Sequence, residues 1–215
     1  MRFSNRIKKI ASLVDSNAYV IDIGCDHALT DIYLTLHNNN KCIAADINAN
    51  ALKNAEENIK KAILDIELIK RDGLKNINIE HSSNSIQTGI GTSTIIDILN
   101  NPKIDKIDTF IIQTNNDYYL LRKAMIKKSY YIDDEITFKD KNIWYVIIKF
   151  KKGYKKYNKL DLKIGPILKN KKDEDTVEYF NYMRDKYSKI LNSIPKNYFV
   201  KRYKVMKIIN ILKQN

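Results

Sequence analysis

The sequence lacks the features that define several classes of protein. Its 215 residues include only 2 cysteines, Cys25 and Cys42, which excludes a disulfide scaffold and a cysteine-rich zinc site. The longest apolar run, 144–148, is far shorter than the roughly 20 apolar residues of a transmembrane helix. Residues 1–17 contain no continuous apolar segment, so we expect no signal peptide and a cytoplasmic protein. The 3 histidines are scattered, so we expect no metal site.

Positive charge is in excess and is concentrated in the second half of the chain. Lysine and arginine number 38 against 25 acidic residues, which gives a net charge of +13. Residues 1–120 carry 13 basic and 15 acidic side chains (net −2), whereas residues 121–215 carry 25 and 10 (net +15). A lysine-rich proteome would explain the total but not the asymmetry. The charge therefore favours a polyanionic partner, with nucleic acid ahead of an anionic membrane surface.

Apolar runs and helical patterns alternate along the first 127 residues. We predict helices over 3–14, 28–36, 48–64, 92–99 and 117–127, and strands over 19–23, 42–45, 66–69, 76–85 (a weak pattern) and 108–113. Strands that are nearly continuous apolar runs are typical of a parallel sheet covered on both faces. The strands 130–139 and 143–150 then predict a terminal β-hairpin. By analogy, this order favours the fold of S-adenosylmethionine-dependent methyltransferases over that of dehydrogenases.

The pattern changes again after residue 151. Residues 151–163 form a basic segment with tyrosines that we interpret as a linker, and Gly165-Pro166 predicts a turn. Apolar side chains then recur every three or four residues over 177–194 and again over 199–212, with Pro195 between them. This spacing predicts an antiparallel, coiled-coil-like helical hairpin. We therefore expect two domains, residues 1–152 and 153–215.

Acidic residues stand at the ends of three successive predicted strands: Asp22 with Gly24, then Asp46, then Asp72-Gly73. Open α/β sheets bind ligands at the carboxyl ends of their strands. The second and third glycines of the dinucleotide motif are missing, which favours a smaller, cationic cofactor such as S-adenosylmethionine. Asp22 would then face its sulfonium or amino group, Asp46 its ribose and Asp72 its adenine.

Each of these residues also has a structural interpretation. Asp22 could cap the following turn, Asp46 could cap the next helix, and Asp72 could belong only to a turn. Asp26 and His27, at the start of a helix, either border the pocket or serve as a helix-start acid and a packed ring. Three acids at three strand ends nevertheless favour a nucleoside-type cofactor.

The motifs together resemble those of the bacterial tRNA (adenine 22-N1)-methyltransferase family. Residues 20–28, VIDIGCDHA, resemble its ADIGSDHA motif. Further matches follow in the family's order: Ser4-x-Arg6 to its SxR, Asp72-Gly73-Leu74 to its DGL, 88–92 to its AGMGG, 112–115 to its LQPN, and 165–168 to its GPxL. The chain departs from the family at Leu29, Ile90, Thr92 and Thr114, which would alter loop geometry and substrate contacts.

The resemblance implies a Rossmann-like class I S-adenosylmethionine-dependent enzyme that methylates N1 of adenine 22 in the D-arm region of tRNA. The residues expected to bind the cofactor are Asp22, Gly24, Asp46, Ile47, Asp72, Gly73, Thr88 and Gly89. The residues expected to act on the base are Asp26, His27, Gln113 and Asn115. Asn115 could instead cap the helix that starts at Asp117, and Gln113 could be exposed to solvent.

The basic residues are the candidates for binding RNA. They are Arg6, Lys151, Lys152, Lys155, Lys156, Lys201 and Arg202. Arg6 could instead cap the site, and the basic face of the helical hairpin could be merely solvated. We expect a monomer that binds tRNA and neither a metal nor a membrane. The rival functions are methylation of another RNA nucleotide and RNA binding without catalysis. An exocyclic amino methylase is disfavoured because its N/D-P-P-Y/F string is missing.

Overall fold

The structure is a computed structural model that describes residues 1–74, 79 and 83–213. The helices are α1 Asn5–Ala11, α2 Leu29–Asn38, α3 Ala49–Ala62, α4 Thr92–Ile98, α5 Tyr118–Lys127, α6 Lys159–Ile164, α7 Glu174–Ser193 and α8 Phe199–Leu212. The strands are β1 Tyr19–Ile23, β2 Lys41–Asp46, β3 Glu67–Lys70, β4 Ser83–Ile90, β5 Ile107–Thr114, β6 Tyr130–Asp140 and β7 Ile143–Lys152. The chain divides into two compact units, residues 1–134 with 147–154, and residues 135–146 with 155–215.

Within the described residues, the strands form one seven-stranded sheet in the order β3-β2-β1-β4-β5-β7-β6. Neighbours from β3 to β5 pair in parallel, whereas β7 pairs antiparallel to β5. The predicted fold class, a parallel sheet that ends in a β-hairpin, is confirmed. The strand order reverses between β1 and β4, and this reversal opens a crevice at their carboxyl ends.

The core of the first unit follows from the apolar runs. Residues 20–21 of β1 and 111–112 of β5 are completely buried. Ser4 caps α1 by accepting a hydrogen bond from the backbone N–H of Ile7, and α1 packs against α2. Asn48 caps α3 in the same way through the N–H of Asn50. These caps fix where the two helices begin at the crevice.

The bounds predicted for the fourth strand were wrong. We predicted a strand over 76–85, whereas β4 runs from Ser83 to Ile90; residues 75–78 and 80–82 lie outside the described part. β4 lies between β1 and β5 and buries polar side chains, including Ser83, Ser85 and Gln87. A buried strand of this composition gives no apolar run, which is why the sequence pattern was weak. Thr88 and Gly89 therefore lie in the last residues of β4 rather than after it.

The segment interpreted as a linker contains a helix, α6, which corrects that prediction. Asn158 caps α6 because its Oδ1 accepts hydrogen bonds from the N–H groups of Leu160 and Asp161. Asp161 in turn pairs with Lys169 at 2.6 Å. With only 6 residues, α6 is too short to show a helical period.

The predicted helical hairpin is confirmed as α7 and α8, which pack against each other. Arg202 closes the hairpin, since its Nη1 donates to the carbonyl oxygens of Leu191 at 2.9 Å and Ile194 at 2.7 Å. Elsewhere in this unit, the buried Glu135 carboxylate accepts from the N–H groups of Ile167 and Leu168. No helix in the described ranges is long and apolar enough to cross a membrane.

Candidate cofactor and active site

A cavity of about 530 Å³ opens at the carboxyl ends of β1, β2 and β4. It brings together seven residues that the sequence predicted for the cofactor or the base: Asp22, Gly24, Asp26, His27, Asp46, Thr88 and Gly89. Arg6, which we predicted to bind RNA, lines the same cavity from α1. Most of this cavity was therefore predicted, and Arg6 lies where it could cap the site, which was the alternative role predicted for it.

Gly24 shapes the floor of the cavity through its backbone. Its φ of +81° lies in the left-handed region, and an added Cβ would lie 3.0 Å from Cδ1 of Ile90. The N–H of Gly24 donates to the carbonyl oxygen of Ala45 at 2.8 Å, which ties the turn after β1 to β2. Glycine is required here both for the dihedral angle and for the space that it leaves.

Asp46 joins the loop that follows β1 to the loop that follows β2, at the rim of the cavity. Its Oδ2 accepts from the N–H of Asp26 at 3.1 Å, and its Oδ1 accepts from the N–H of Asn48 at 2.8 Å. Because Asn48 is the N-cap of α3, the interpretation of Asp46 as the cap of that helix is wrong. A carboxylate has about four acceptor sites, so Asp46 retains capacity for the hydroxyl groups of a ligand.

Asp22 is a buried acid at the bottom of the cavity. It is only 3% exposed, and its Oδ1 has no hydrogen-bond partner among the residues that the structure describes. Burial raises the pKa of Asp22 to about 7; the Asp46 charge also raises it, whereas the neighbouring Asp31 side chain and the charge of Arg6 oppose the rise. Such a group suits a cationic ligand, which would favour the ionised form.

Asp31 in the first turn of α2 is the functional candidate that the sequence analysis missed. It is completely buried, and burial followed by the neighbouring Asp22 raises its pKa well above the ordinary value. Its position beside Ile32, among the buried residues of α2, was the feature of the sequence that could have identified Asp31. Acidic side chains are rarely buried without a partner, so a buried acid indicates a special role.

Asp26 and His27 stand at the rim. The Nε2 of His27 lies 3.5 Å from Oδ2 of Asp26, and the side chains are 49% and 70% exposed. This exposure disfavours the interpretation of His27 as a packed ring. The backbone oxygen of His27 accepts from Nδ2 of Asn58 at 3.1 Å, which anchors the rim to α3.

Gln113 and Asn115 do not line the cavity but reach its edge through Gly89. Nδ2 of Asn115 donates to the carbonyl oxygen of Gly89 at 2.8 Å, and Nε2 of Gln113 donates to Oδ1 of Asn115 at 3.4 Å. Gln113 is completely buried, so its solvent-exposed interpretation is wrong. Asp117 caps α5, so the interpretation of Asn115 as that cap is also wrong.

Three predicted cofactor residues lie apart from this cavity. Asp72 and Gly73 line a separate cavity of about 430 Å³ with residues of α4. Ile47 is 66% exposed beside Asp46. The structure does not bring these three residues together with Asp22, and their contact with an adenine ring stays a prediction.

The basic residues of the second half that were predicted to bind RNA differ in whether the structure gives their side chains a protein contact or shows them exposed. Lys151 pairs with Asp133 at 3.2 Å, Lys152 donates to the backbone oxygen of Asp105, and Arg202 closes the helical hairpin. Lys155, Lys156 and Lys201 are exposed. Within the ranges 1–74 and 83–213, no cluster of histidine, cysteine or acidic side chains could hold a metal ion.

Comparisons with known proteins agree with this geometry. The family model of a methyltransferase domain matches residues 3–148. The tRNA (adenine(22)-N(1))-methyltransferase of Bacillus subtilis (strain 168) is 26% identical over 185 residues, which cover 80% of this chain and 77% of that protein. The predicted resemblance to this family of enzymes is thereby confirmed.

Two solved structures are similar over nearly the whole chain. TrmK of M. capricolum, solved with S-adenosyl-homocysteine, is 28% identical with a TM-score of 0.82, covering 100% of this chain and 97% of that one. The m1A22 tRNA methyltransferase TrmK of B. subtilis shares the fold, with 21% identity, a TM-score of 0.80 and coverage of 99% and 98%. With a methyltransferase domain matched over more than half of its length, the chain belongs to the methyltransferase domain family.

Proposed function

We propose that this protein transfers a methyl group from S-adenosylmethionine to N1 of adenine 22 in tRNA. One observation carries the proposal: the cavity where the strand order reverses combines Asp22, Gly24 and Asp46 from two adjacent strand ends. The relative from B. subtilis, named for this reaction, supports the choice of nucleotide. We further propose that the protein works as a monomer in the cytoplasm, where its substrate is found.

The residues of the cavity fit the chemical groups of the cofactor. S-adenosylmethionine, when bound, supplies an electrophilic methyl group on a sulfonium centre. The buried Oδ1 of Asp22 suits its ammonium group, and the guanidinium of Arg6 in the same cavity suits its carboxylate. Asp46 suits the ribose hydroxyls, and the lack of a side chain at Gly24 lets a ligand approach the backbone. We retain Ile47, Asp72, Gly73 and Thr88 as candidates for the remaining contacts.

The residues at the rim fit the target base. Adenine N1 has an in-plane lone pair, so positioning can replace a general base. The methylated ring carries a positive charge, which an acceptor beside the N6 amine would stabilise. Asp26 at the rim and Oδ1 of Asn115 are such acceptors. Nδ2 of Asn115 donates to the carbonyl oxygen of Gly89, so the amide of Asn115 offers its oxygen, and not its nitrogen, to a ligand. We propose that Gln113 orients Asn115 and that His27 contacts the base or its ribose.

We propose that residues 1–152 carry out the transfer and that residues 153–215 hold the RNA. The second segment presents exposed lysines together with exposed aromatic rings: Tyr154, Tyr198, Phe199 and Tyr203. Lysines contact phosphates, and aromatic rings stack on unpaired bases. The target adenine is stacked within folded tRNA, so it has to leave the stack to reach the cavity.

The experiment is incubation with S-adenosylmethionine and unmodified tRNA, followed by mass spectrometry of the digested nucleosides. We expect N1-methyladenosine from the wild type, none from Asp22→Ala and a reduced yield from Asp26→Ala. Glu56→Ala, which removes an exposed acid on α3, is the control and retains activity. Binding of tRNA without any methylated nucleoside would contradict the proposal and favour RNA binding alone.

A further inference from the structure

A buried pair of threonines joins the segments that follow β4 and β5. Thr92 is the first residue of α4, just after β4, and Thr114 is the last residue of β5. The two residues are 1% and 0% exposed, and their hydroxyl oxygens lie 2.8 Å apart. Neither side chain lines the cavity, so the roles proposed above do not account for this contact.

The hydroxyl hydrogens of the pair can be arranged in two ways, because each hydroxyl group has only one. In the first, Thr114 donates to Thr92, which donates to the carbonyl oxygen of Asn116. In the second, Thr92 donates to Thr114, which donates to the carbonyl oxygen of Ile90 at 3.1 Å. Both arrangements use every hydroxyl hydrogen, and both connect the end of β5 to the residues at the end of β4.

Further hydrogen bonds connect the same two segments. The backbone N–H of Asn115 donates to the carbonyl oxygen of Ile90 at 3.2 Å. The N–H of Thr92 donates to Oδ1 of Asn116 at 3.0 Å, which satisfies the start of a helix whose N-cap, Gly91, has no side chain to do so. The loop that carries Asn115 is therefore fixed to the start of α4.

The same connection reaches the wall of the cavity at Gly89. The pairing of β4 with β5 shifts between Thr88 and Ile90, so Gly89 has no residue opposite it, and its φ is +76°. Bulges of this kind often lie next to active sites, where they redirect nearby groups. The carbonyl oxygen of Gly89 accepts from Nδ2 of Asn115 at 2.8 Å. Asn115 is an exposed residue, yet its amide is thereby held in one orientation.

Both threonines are positions at which this chain departs from the motifs of the family that it resembles. Residue 92 stands where the AGMGG motif has glycine, and residue 114 stands where the LQPN motif has proline. Neither glycine nor proline has a hydroxyl group, so those residues cannot form this hydrogen bond. The structure brings the two departures into contact.

We propose that Thr92 and Thr114 are positioning residues that hold Asn115 for the methyl transfer. Their hydroxyl groups fix the loop after β5, and the loop places Nδ2 of Asn115 on Gly89. Oδ1 of Asn115 is then available to the N6 amine of the target adenine, which neither threonine touches. This inference deepens the proposed function and rests on it.

The test is the single-turnover rate of methylation with saturating S-adenosylmethionine and tRNA. Thr92→Val and Thr114→Val remove one hydroxyl group at nearly constant volume, and each should slow the transfer at least about tenfold, because misplaced reacting groups lose rate steeply. Affinity for S-adenosylhomocysteine should stay within about threefold of the wild type, since Asp22, Gly24 and Asp46 are unchanged. Thr92→Ser and Thr114→Ser keep the hydroxyl group and should retain the rate within about threefold.

The double valine variant and a matched control separate positioning from loss of stability. The two hydroxyl groups form one connection, so the double variant should be about as slow as either single variant, whereas independent effects would multiply. Thr137→Val is the control, because Thr137 and Thr176 form another buried pair in the second unit, with hydroxyl oxygens 3.3 Å apart. It should lower the melting temperature and leave the rate of transfer unchanged.

The wild-type protein alone provides a second measurement, which does not depend on the folding of any variant. By nuclear magnetic resonance, the side-chain amide of Asn115 should exchange hydrogen with solvent at least about tenfold more slowly than a free asparagine amide. Thr92→Val and Thr114→Val should lose this protection.

Wild-type rates in both valine variants would overturn the inference, as would serine variants as slow as the valine variants or losses that multiply in the double variant. An equal loss of rate in Thr137→Val, or an unprotected Asn115 amide in the wild type, would also overturn it. Failure of the proposed function is distinct from all of these, because the wild type itself would then form no N1-methyladenosine.

Discussion

Gly24 is the residue at which the cavity depends most directly on backbone geometry. The D-x-G sequence predicted a close approach of the backbone to a ligand, and the φ of +81° agrees with it. Gly91 provides a matched control: its φ is −72°, and no atom of the described residues lies within 4 Å of an added Cβ.

Gly24→Ala should therefore lower the free energy of unfolding by about 1–3 kcal/mol and weaken cofactor binding at least tenfold. The strain of the left-handed backbone and the contact with Ile90 are the causes. Chemical denaturation and calorimetry check both effects. Gly91→Ala should leave cofactor binding unchanged and cost at most about 1 kcal/mol of stability, because Gly91 is the N-cap of α4, where alanine is less favourable than glycine. An equal loss of cofactor binding in the two variants would refute the explanation.

Asp31 gives a second prediction at this scale, on stability and pH. Burial and Asp22 raise the pKa of Asp31 above its ordinary value of 3.8, so folding takes up a proton at this group from about pH 4 upward. Since the folded state binds more protons, this group contributes less to stability as pH rises, by at most about 1.4 kcal/mol per pH unit. Asp31→Asn should remove that loss.

Denaturation of Asp31→Asn and the wild type between pH 5 and pH 8 measures the difference. The variant should become increasingly more stable than the wild type as pH rises, because asparagine at this position has no bound proton to lose. Parallel stability curves would show that Asp31 is ionised in the folded protein.

At the scale of elements, the strands that could be predicted are those whose residues are mostly apolar. The strand predicted over 19–23 matches β1 at both ends, because its residues are apolar apart from Asp22. β4 was misplaced because its interior positions carry Ser85 and Gln87. The link between Asn115 and Gly89 was not predictable either, since it depends on pairing between β4 and β5.

The helical hairpin gives a prediction at this scale. Arg202 was a candidate for binding RNA, yet its guanidinium donates to two carbonyl oxygens at the end of α7. Arg202→Lys keeps the charge but not the paired geometry, so it should destabilise the hairpin by about 1–3 kcal/mol. Thermal unfolding followed by circular dichroism measures the loss.

Lys201→Ala removes the neighbouring exposed charge and serves as the control for Arg202. It should weaken tRNA binding without lowering the melting temperature. If Arg202→Lys unfolds like the wild type, the guanidinium does not close the hairpin.

At the scale of the whole molecule, charge is the property that the sequence alone made visible. The net charge of +15 over residues 121–215 predicted a polyanionic partner. Which lysines remain exposed required the structure, because Lys149 is nearly buried against Asp15 and Lys151 pairs with Asp133.

Replacing Lys155, Lys156 and Lys201 with glutamine should therefore weaken tRNA binding and reduce its dependence on salt. The slope of log K against log salt concentration should fall by about 2, since each phosphate contact contributes roughly 0.7–0.9. Filter binding at several salt concentrations gives this slope. The same change at the exposed Lys41, Lys53 and Lys61 of the first unit should leave it unaltered, and an equal effect would argue for non-specific attraction.

The central claim is methylation of one nitrogen of one nucleotide. Primer extension on tRNA treated with the protein and S-adenosylmethionine tests it most directly, because a methyl group on N1 blocks the pairing edge of adenine. We predict a stop at adenine 22 that disappears in a transcript with guanine at that position and with the Asp22→Ala protein. Methyl incorporation without a stop at position 22, or a stop that persists in the guanine transcript, would contradict the account.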